Sequence, residues 1–135
     1  MQFPRILLVA ALFGPGAAPA QADSPQSLEI TVKNSGRDAL DCNASIAHWF
    51  SEDIGRIAPG ESLSFSFGYA LESGTIFRLN DVGDEMAVER IWCGKAGEDW
   101  ATRAEIAIDR RAGKLPGPVS LSCVVSGDET LCEAL

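Results

Sequence analysis

The sequence predicts an all-β protein, an antiparallel β-sandwich of seven to eight short strands. Three observations predict this fold class. Apolar and polar residues alternate with a period of two in several short runs, and clusters of Gly, Pro, Asn and Asp separate these runs. The chain also has four cysteines, an even number of the kind that small exported domains pair in disulfides.

The chain begins with a segment typical of a secretory signal peptide. Arg5 supplies a positive charge, residues 6–13 (ILLVAALF) form an apolar stretch too short to span a bilayer, and residues 20–22 (AQA) match the small-x-small cleavage pattern. We therefore expect residues 1–22 to be removed. Residues 23–135 should then form one domain in the periplasm or outside the cell, without membrane insertion.

The first predicted strands lie in the N-terminal half of this domain. Residues 28–32 (LEITV) alternate between apolar and polar side chains, and a turn-forming cluster follows at residues 34–38. A second alternating run covers residues 40–46. A turn at residues 57–61 (IAPGE) then precedes the clearest alternation in the chain, residues 63–67 (LSFSF). Each run predicts a strand with one face toward a core.

The C-terminal half predicts two hairpins. Residues 75–79 and 86–92 flank a turn at residues 80–84, which contains Asn, Gly and two Asp. Residues 119–125 and 130–133 flank the Gly-Asp pair of the second hairpin, a favoured two-residue turn because glycine accepts positive φ.

Residues 99–112 leave two alternatives open. A short helix would begin at Asp99 as its N-cap and end before Gly113. A strand would place Ala104, Ile106 and Ile108 on one face, whereas the helix would point Ile106 away from the apolar stripe. We favour the strand slightly, because it directs every large apolar residue inward.

The four cysteines predict two disulfides. Counting outward from the Gly-Asp turn, Cys123 lies opposite Cys132 at a non-hydrogen-bonded position, where the Cα atoms of antiparallel strands approach most closely. Cys42 and Cys93 then pair by elimination. This second bridge would close a loop of about 50 residues and stabilise the fold by roughly 4 kcal/mol on the chain-entropy model.

Residues 28–67 resemble the opening strands of immunoglobulin-like accessory domains of exported bacterial proteins. The resemblance rests on LEITVKNSGRDALDC followed by RIAPGESLSFSF, in which a strand ending in Asn-x-Gly precedes an APGES-type turn and an aromatic strand. It covers about a third of the mature chain and implies an immunoglobulin-like fold without implying an activity. The pattern departs from antibody domains, because Trp92 directly precedes Cys93.

The sequence contains no recognisable catalytic or cofactor motif. His48 is the single histidine, so a Cys–His nucleophile has one possible base, and the glycine patterns of serine hydrolases, P-loops and Rossmann folds are absent. Carboxylates cluster at residues 81–85 and 98–99 without the EF-hand pattern. The formal charge of −8, one unit more negative after loss of Arg5, disfavours nucleic acids and anionic lipids.

Aromatic residues are the candidates for a binding surface. Trp49, Tyr69 and Trp100 are expected to form a contact patch with Glu98 and Asp99 beside it, since large aromatic faces bind partners at low entropic cost. In contrast, Trp92 should be buried, because it adjoins the predicted bridge at Cys93.

These observations favour an exported, non-enzymatic binding or accessory protein that contacts another protein. An acidic surface suits a cationic partner, and an inhibitor of a cationic hydrolase is one concrete form of the hypothesis. The alternative is a metal- or carbohydrate-binding periplasmic protein that uses the acidic turns or exposed tryptophans. No cofactor is expected, and the oligomeric state stays open.

Overall fold

The fold is all-β. The structure, a computed structural model, describes residues 14–18 and 26–135, so the predicted apolar leader and cleavage site at residues 6–13 and 20–22 lie outside the described residues. No helix occurs in the described part of the chain, and none there is long and apolar enough to cross a membrane.

Nine strands occur within the described residues. They are β1 Gln26–Asn34, β2 Leu40–Ile46, β3 Phe50–Ile57, β4 Ser62–Ala70, β5 Thr75–Leu79, β6 Glu85–Lys95, β7 Ala104–Glu105, β8 Val119–Ser126 and β9 Glu129–Ala134. Every run predicted as a strand from alternation before residue 99 or after residue 118 lies in one of them. β3 was not predicted, because its sequence FSEDIGRI lacks a regular alternation.

The strands form one hydrogen-bonded sheet, so the expected immunoglobulin-like sandwich is not confirmed. The order is β3-β2-β6-β5-β4-β1-β8-β9, with β7 pairing with β6 outside this path. Most neighbours are antiparallel, but β1 and β8 are parallel, with Ile30 opposite Val119. Long-range parallel pairing leaves no turn signal in a sequence, so it was not predicted.

The long strand β6 carries the sheet from one layer of strands to the other. Its first residues, Glu85–Ala87, pair with β5, and residues 88–95 pair with β2. The two ends of the sheet then return toward its middle. A salt bridge of 3.0 Å joins Glu52 of β3 to Arg78 of β5, and Thr130 N of β9 donates to Thr102 O at 2.9 Å. The sheet thereby encloses its own core.

Alternation along the strands produces that core. In β1, Leu28, Ile30 and Val32 are fully buried, while the residues between them are exposed or half-buried. β2 buries Leu40, Cys42, Ala44 and Ile46 in the same way. Each fully buried large apolar side chain stabilises the fold by about 1.5–3 kcal/mol. The outward residues of β2 are therefore polar and free to line a surface.

The alternatives for residues 99–112 are decided against the helix. Only Ala104 and Glu105 form a ladder, with Cys93 and Trp92 of β6. The inward phase expected for a strand is nonetheless present, since Ile106 is 6% exposed and its backbone N donates to Ile91 O at 2.8 Å.

Both predicted disulfides are present. Cys42–Cys93 joins β2 to β6, and Cys123–Cys132 joins β8 to β9, each with a Cα–Cα distance of 4.1 Å. The register predicted for the last hairpin is confirmed, from the Ser126–Glu129 pair at the turn to the Cys123–Cys132 pair. No free cysteine occurs among the described residues. The cysteines are thus structural.

Candidate functional site

The loop after β6, residues 96–103, folds back against the strand. Gly94 permits this approach, because a Cβ at that position would lie 2.1 Å from Asp99 O. The Thr102 hydroxyl closes the loop by accepting from Lys95 N and donating to Glu98 O, both at 2.8 Å. Gly97 N donates to Asp41 Oδ2 at 3.1 Å. These hydrogen bonds fix the position of the loop against β2 and β6.

Asp99 ties this loop to the outer face of the sheet. Its Oδ2 accepts hydrogen bonds from Trp92 Nε1 at 2.8 Å and from Asn43 Nδ2 at 2.9 Å. Trp92 is 4% exposed, as expected from its position beside Cys93. One oxygen of Asp99 is therefore committed to internal contacts, which limits its part in any contact with a partner.

Trp100 is positioned by aromatic and cationic neighbours. Its ring meets that of Trp92 edge to face, with centroids 5.0 Å apart. The Arg103 guanidinium lies 3.9 Å from the Trp100 centroid and donates to Trp100 O at 2.9 Å. Such cation–π contacts contribute about 0.5–1 kcal/mol at exposed sites. The indole is thus held in one orientation while half of its surface, 49%, stays exposed.

A groove of about 520 Å³ runs beside Trp100 on the outer face of β2, β3 and β6. We call it the β2 groove. Its lining residues are Asn43, Ser45, Ser51, Glu89, Arg90, Trp92, Asp99 and Trp100. Polar side chains dominate this set, and the two indoles supply the apolar surface at one end.

The turn between β2 and β3 carries further exposed aromatic side chains. We call residues 47–50 the hairpin tip. Trp49 is 86% exposed and Phe50 is 49% exposed. Ala47 and His48 both have positive φ, 49° and 63°, the sign that a type I′ turn requires. Non-glycine residues adopt this region at a cost of about 1–2 kcal/mol each.

The hairpin tip and the β5–β6 turn lie at the same end of the sheet. Ala47 N donates to Ala87 O at 2.8 Å, so the tip extends beside the start of β6. The neighbouring turn exposes Val82 at 80% together with three exposed carboxylates, Asp81, Asp84 and Glu85. This end of the molecule therefore combines apolar side chains with negative charge.

A hydrogen bond lowers the pKa of one group beside the loop, and burial lowers the pKa of a second group on β6's flank. The hydrogen bond from Arg56, at 2.7 Å, holds the pKa of Asp41 below its ordinary value. Burial lowers the pKa of Arg110, whose guanidinium donates to the carbonyls of Val88 and Glu89. Within residues 14–18 and 26–135, no three His, Cys, Asp or Glu side chains are placed to hold a metal ion.

The structure divides the patch predicted from the sequence. Tyr69 does not belong to any contact surface, because it is 1% exposed and its hydroxyl donates to Arg111 O and Lys114 O. Trp49 lies at the hairpin tip, while Trp100 lines the β2 groove and the exposed Glu98 belongs to the same loop as Trp100. The expectation of one joint patch including Tyr69 was wrong.

Sequence reasoning missed several residues of these surfaces. Phe50 was not singled out, although it directly follows Trp49. Arg90 and Arg103 gave no signal, because their proximity to Trp100 depends on how the loop folds back over β6. Asn43 and Ser45 could have been found, since they are the outward residues of a strand whose alternation was recognised.

Comparisons with known proteins add a distant structural likeness. No protein-family model matches the chain, and no curated protein matches it. Among solved structures it is similar to the "NMR structure of the protein from Eubacterium rectale", at 10% identity and a TM-score of 0.42, over 88% of this chain and 94% of that chain. A likeness of this degree carries no argument about function.

Proposed function

We propose that this chain is an exported, non-enzymatic binding protein that docks on a cationic partner protein through the hairpin tip. The observation that carries the proposal is the 86% exposure of Trp49 on a turn with two non-glycine residues of positive φ. Leaving an indole in water forgoes roughly 4–6 kcal/mol, from about 150–250 Å² at about 25 cal/mol per Å². Burial against a partner recovers that free energy.

The turn geometry supports a binding role for the tip. Ala47 and His48 are held in their unfavourable conformation by the flanking strand pairs, Ser45–Ser51 and Ile46–Phe50. Strained backbone is typical of functional sites, where the surrounding structure maintains it. A pre-organised tryptophan loses little conformational entropy on binding, which favours affinity.

The charge around the tip supports a cationic partner. Asp81, Asp84 and Glu85 are exposed in the β5–β6 turn at the same end of the sheet, and the whole chain has a formal charge of −8. Carboxylates around an apolar anchor attract a basic surface and accelerate association. A cationic hydrolase whose cleft would accept Trp49 is the concrete form of partner that we propose.

Export and the finer fold assignment belong to the same proposal. Two disulfides are compatible with an extracellular or periplasmic location, and the N-terminal sequence pattern supports a signal peptide. A non-enzymatic role is supported by the bridging of all four cysteines. The layered course of the sheet supports an immunoglobulin-like relationship.

Surface plasmon resonance against a panel of basic hydrolases, including a c-type lysozyme and a pancreatic-type ribonuclease, tests the proposal. We expect binding to at least one of them, and we expect Trp49→Ala to weaken it about 30-fold, as loss of a hot-spot anchor does. Leu131→Ala is the matched control, because Leu131 is also an exposed apolar residue, at 50%, on β9. It should leave the affinity unchanged.

The charge argument has its own test in the same assay. Asp81→Asn combined with Asp84→Asn should lower the association rate in low salt and have little effect in 0.5 M salt. Glu133→Gln, on β9, is the control for a charge distant from the tip. Glu98→Gln should also have little effect, because Glu98 lies beside Trp100. Absence of binding to every hydrolase, or equal binding by Trp49→Ala, would refute the proposal.

A further inference from the structure

We infer that the β2 groove is a binding site for a neutral carbohydrate. The groove adjoins the hairpin tip, since His48 Nδ1 of the tip lies 2.5 Å from Oε1 of Glu89, which lines the groove, but the inference does not depend on a partner protein. It rests on four features of the groove: unused hydrogen-bonding groups, a fixed indole at one end, a small net charge, and a volume suited to one or two sugar rings.

Unused hydrogen-bonding groups line the floor of the groove. Ser45 and Ser51 are directly opposite each other on β2 and β3, and neither hydroxyl has a partner within the described residues. Asn43 donates its amide to Asp99, but its Oδ1 accepts no hydrogen bond there. Hydroxyls and amides placed side by side on a rigid sheet suit a ligand that carries many hydroxyl groups.

Trp100 supplies the apolar wall. Arg103 lies 3.9 Å from the ring centroid but does not line the groove, so it supports the indole from outside. The Trp100 Nε1–H has no partner among the described residues and remains available as a donor. An aromatic surface with a polar edge binds the apolar face of a sugar ring while hydrogen bonding to its hydroxyls.

The charges in the groove favour a neutral ligand. Glu89 and Arg90 carry opposite charge, and Asp99 uses one carboxylate oxygen for Trp92 and Asn43. An anionic ligand would be repelled by these carboxylates and by the overall charge of −8. Arg90, whose side chain is 53% exposed, offsets one of the two carboxylates, so the lining has a net formal charge of only −1 and a cationic ligand gains little.

The volume and shape agree with a short oligosaccharide. About 520 Å³ lies within the range of small-molecule sites, and the groove is open along the outer face of β2. A peptide would require pockets for alternate side chains, and here the apolar surface is confined to Trp92 and Trp100. A sugar chain could extend beyond the groove without a further pocket.

Titration followed by ¹H–¹⁵N NMR tests the inference, with cellotriose and tri-N-acetylchitotriose as neutral probes and deacetylated chitotriose as the cationic probe. We expect at least one neutral probe to shift the signals of Asn43, Ser45 and the Trp100 indole N–H. The signals of the β8–β9 turn, which lies outside the groove, should not move. The cationic probe should bind more weakly.

Two groove variants and one control complete the experiment. Ser45→Ala and Trp100→Ala should each weaken the affinity at least about 5-fold, the loss expected for one hydrogen bond or stacking contact. Trp49→Ala should leave sugar binding unchanged, so failure of this inference is distinguishable from failure of the partner-protein proposal.

Three results would overturn the carbohydrate site. The first is the absence of shifts with both neutral probes at about 10 mM, a concentration that would reveal even millimolar binding. The second is unchanged affinity in both Ser45→Ala and Trp100→Ala. The third is tighter binding of the cationic probe than of both neutral ones. Ser45→Ala removes only a hydroxyl from the surface of β2 and should leave the fold intact. It therefore tests the site even if Trp100→Ala disturbs the loop at residues 96–103.

Discussion

The two hairpins β2–β3 and β8–β9 contrast in how their turns are made. The β8–β9 turn has Gly127 at a φ of 63°, where glycine meets no steric cost. The β2–β3 turn places Ala47 and His48 at positive φ, where a side chain is unfavourable. A disulfide joins β8 to β9 within their hairpin, whereas Cys42 of β2 is bridged to Cys93 of β6 and not to β3.

This difference separates a turn that serves folding from a turn that presents a side chain. The β8–β9 turn combines a permissive glycine with a local staple, and both favour its formation. The β2–β3 turn is maintained by its flanking strands and exposes Trp49 at its tip. An unfavourable turn with an exposed indole does not serve stability and agrees with the binding role that we propose.

The largest expected effect concerns the two disulfides. Replacing Cys42 and Cys93 by alanine should destabilise the fold by about 4 kcal/mol, because the bridge spans 51 residues, and replacing Cys123 and Cys132 by about 3 kcal/mol, because that bridge spans 9. Urea denaturation of both double variants and the parent checks the order. An equal or reversed order would show that strain or unfolded-state structure outweighs loop length.

The β8–β9 hairpin was predictable because all its information is local. Gly127 and Asp128 mark the turn, and counting outward gives the register and the bridge from the residues alone. The same local rule identified β1, β2 and β4 from alternation.

The β2–β3 hairpin was not predictable by that rule. Its turn lacks glycine, and β3 alternates irregularly because the register shifts between Cys42 and Asn43. The β2 groove also depends on residues distant in sequence, since the side chain of Asp99 bonds to Asn43, 56 residues away. Its polar floor could be inferred from β2, but its indole wall could not.

The next largest effect is expected from replacing the glycine of the β8–β9 turn by alanine. Gly127→Ala should destabilise the fold by about 1–2 kcal/mol, because alanine is unfavourable at a φ of 63°. Nothing lies within 4 Å of the added Cβ, so the cost is conformational and not steric. Urea denaturation measures it. A neutral result would mean that the turn relaxes to another type.

The reciprocal change should have the opposite sign and a smaller size. Ala47→Gly should stabilise the fold by up to about 1 kcal/mol, since relief of the positive φ exceeds the added entropy of the unfolded chain. The same denaturation assay checks it. Ala44→Gly in the adjacent strand, where no positive φ is relieved, is the control and should destabilise. Destabilisation by Ala47→Gly would contradict the assignment of strain to the β2–β3 turn.

The smallest effect is the pH dependence contributed by Asp41, which links β2 to the loop beside the groove. Hydrogen bonding from Arg56 lowers the pKa of the folded-state carboxyl below its ordinary value of 3.8. The contribution is therefore present above about pH 4 and is lost as the pH falls through the lowered pKa. Its size should be below about 1 kcal/mol, because the Arg56 side chain is 65% exposed and solvent screens the pair.

Asp41→Asn separates this contribution from the general acid sensitivity of an acidic protein. The variant should be less stable than the parent at pH 7, and the difference should shrink as the pH falls through the lowered pKa of the parent carboxyl. Glu133→Gln removes an exposed carboxylate of β9 that has no ion pair among the described residues, so its stability difference should stay small throughout. Asp41 also accepts a hydrogen bond from Gly97 N in the loop beside the groove. The part of the stability loss that changes with pH therefore measures the ion pair with Arg56, and the constant part measures the hydrogen bond. A difference that is constant with pH would assign the anchoring of the loop to hydrogen bonding alone.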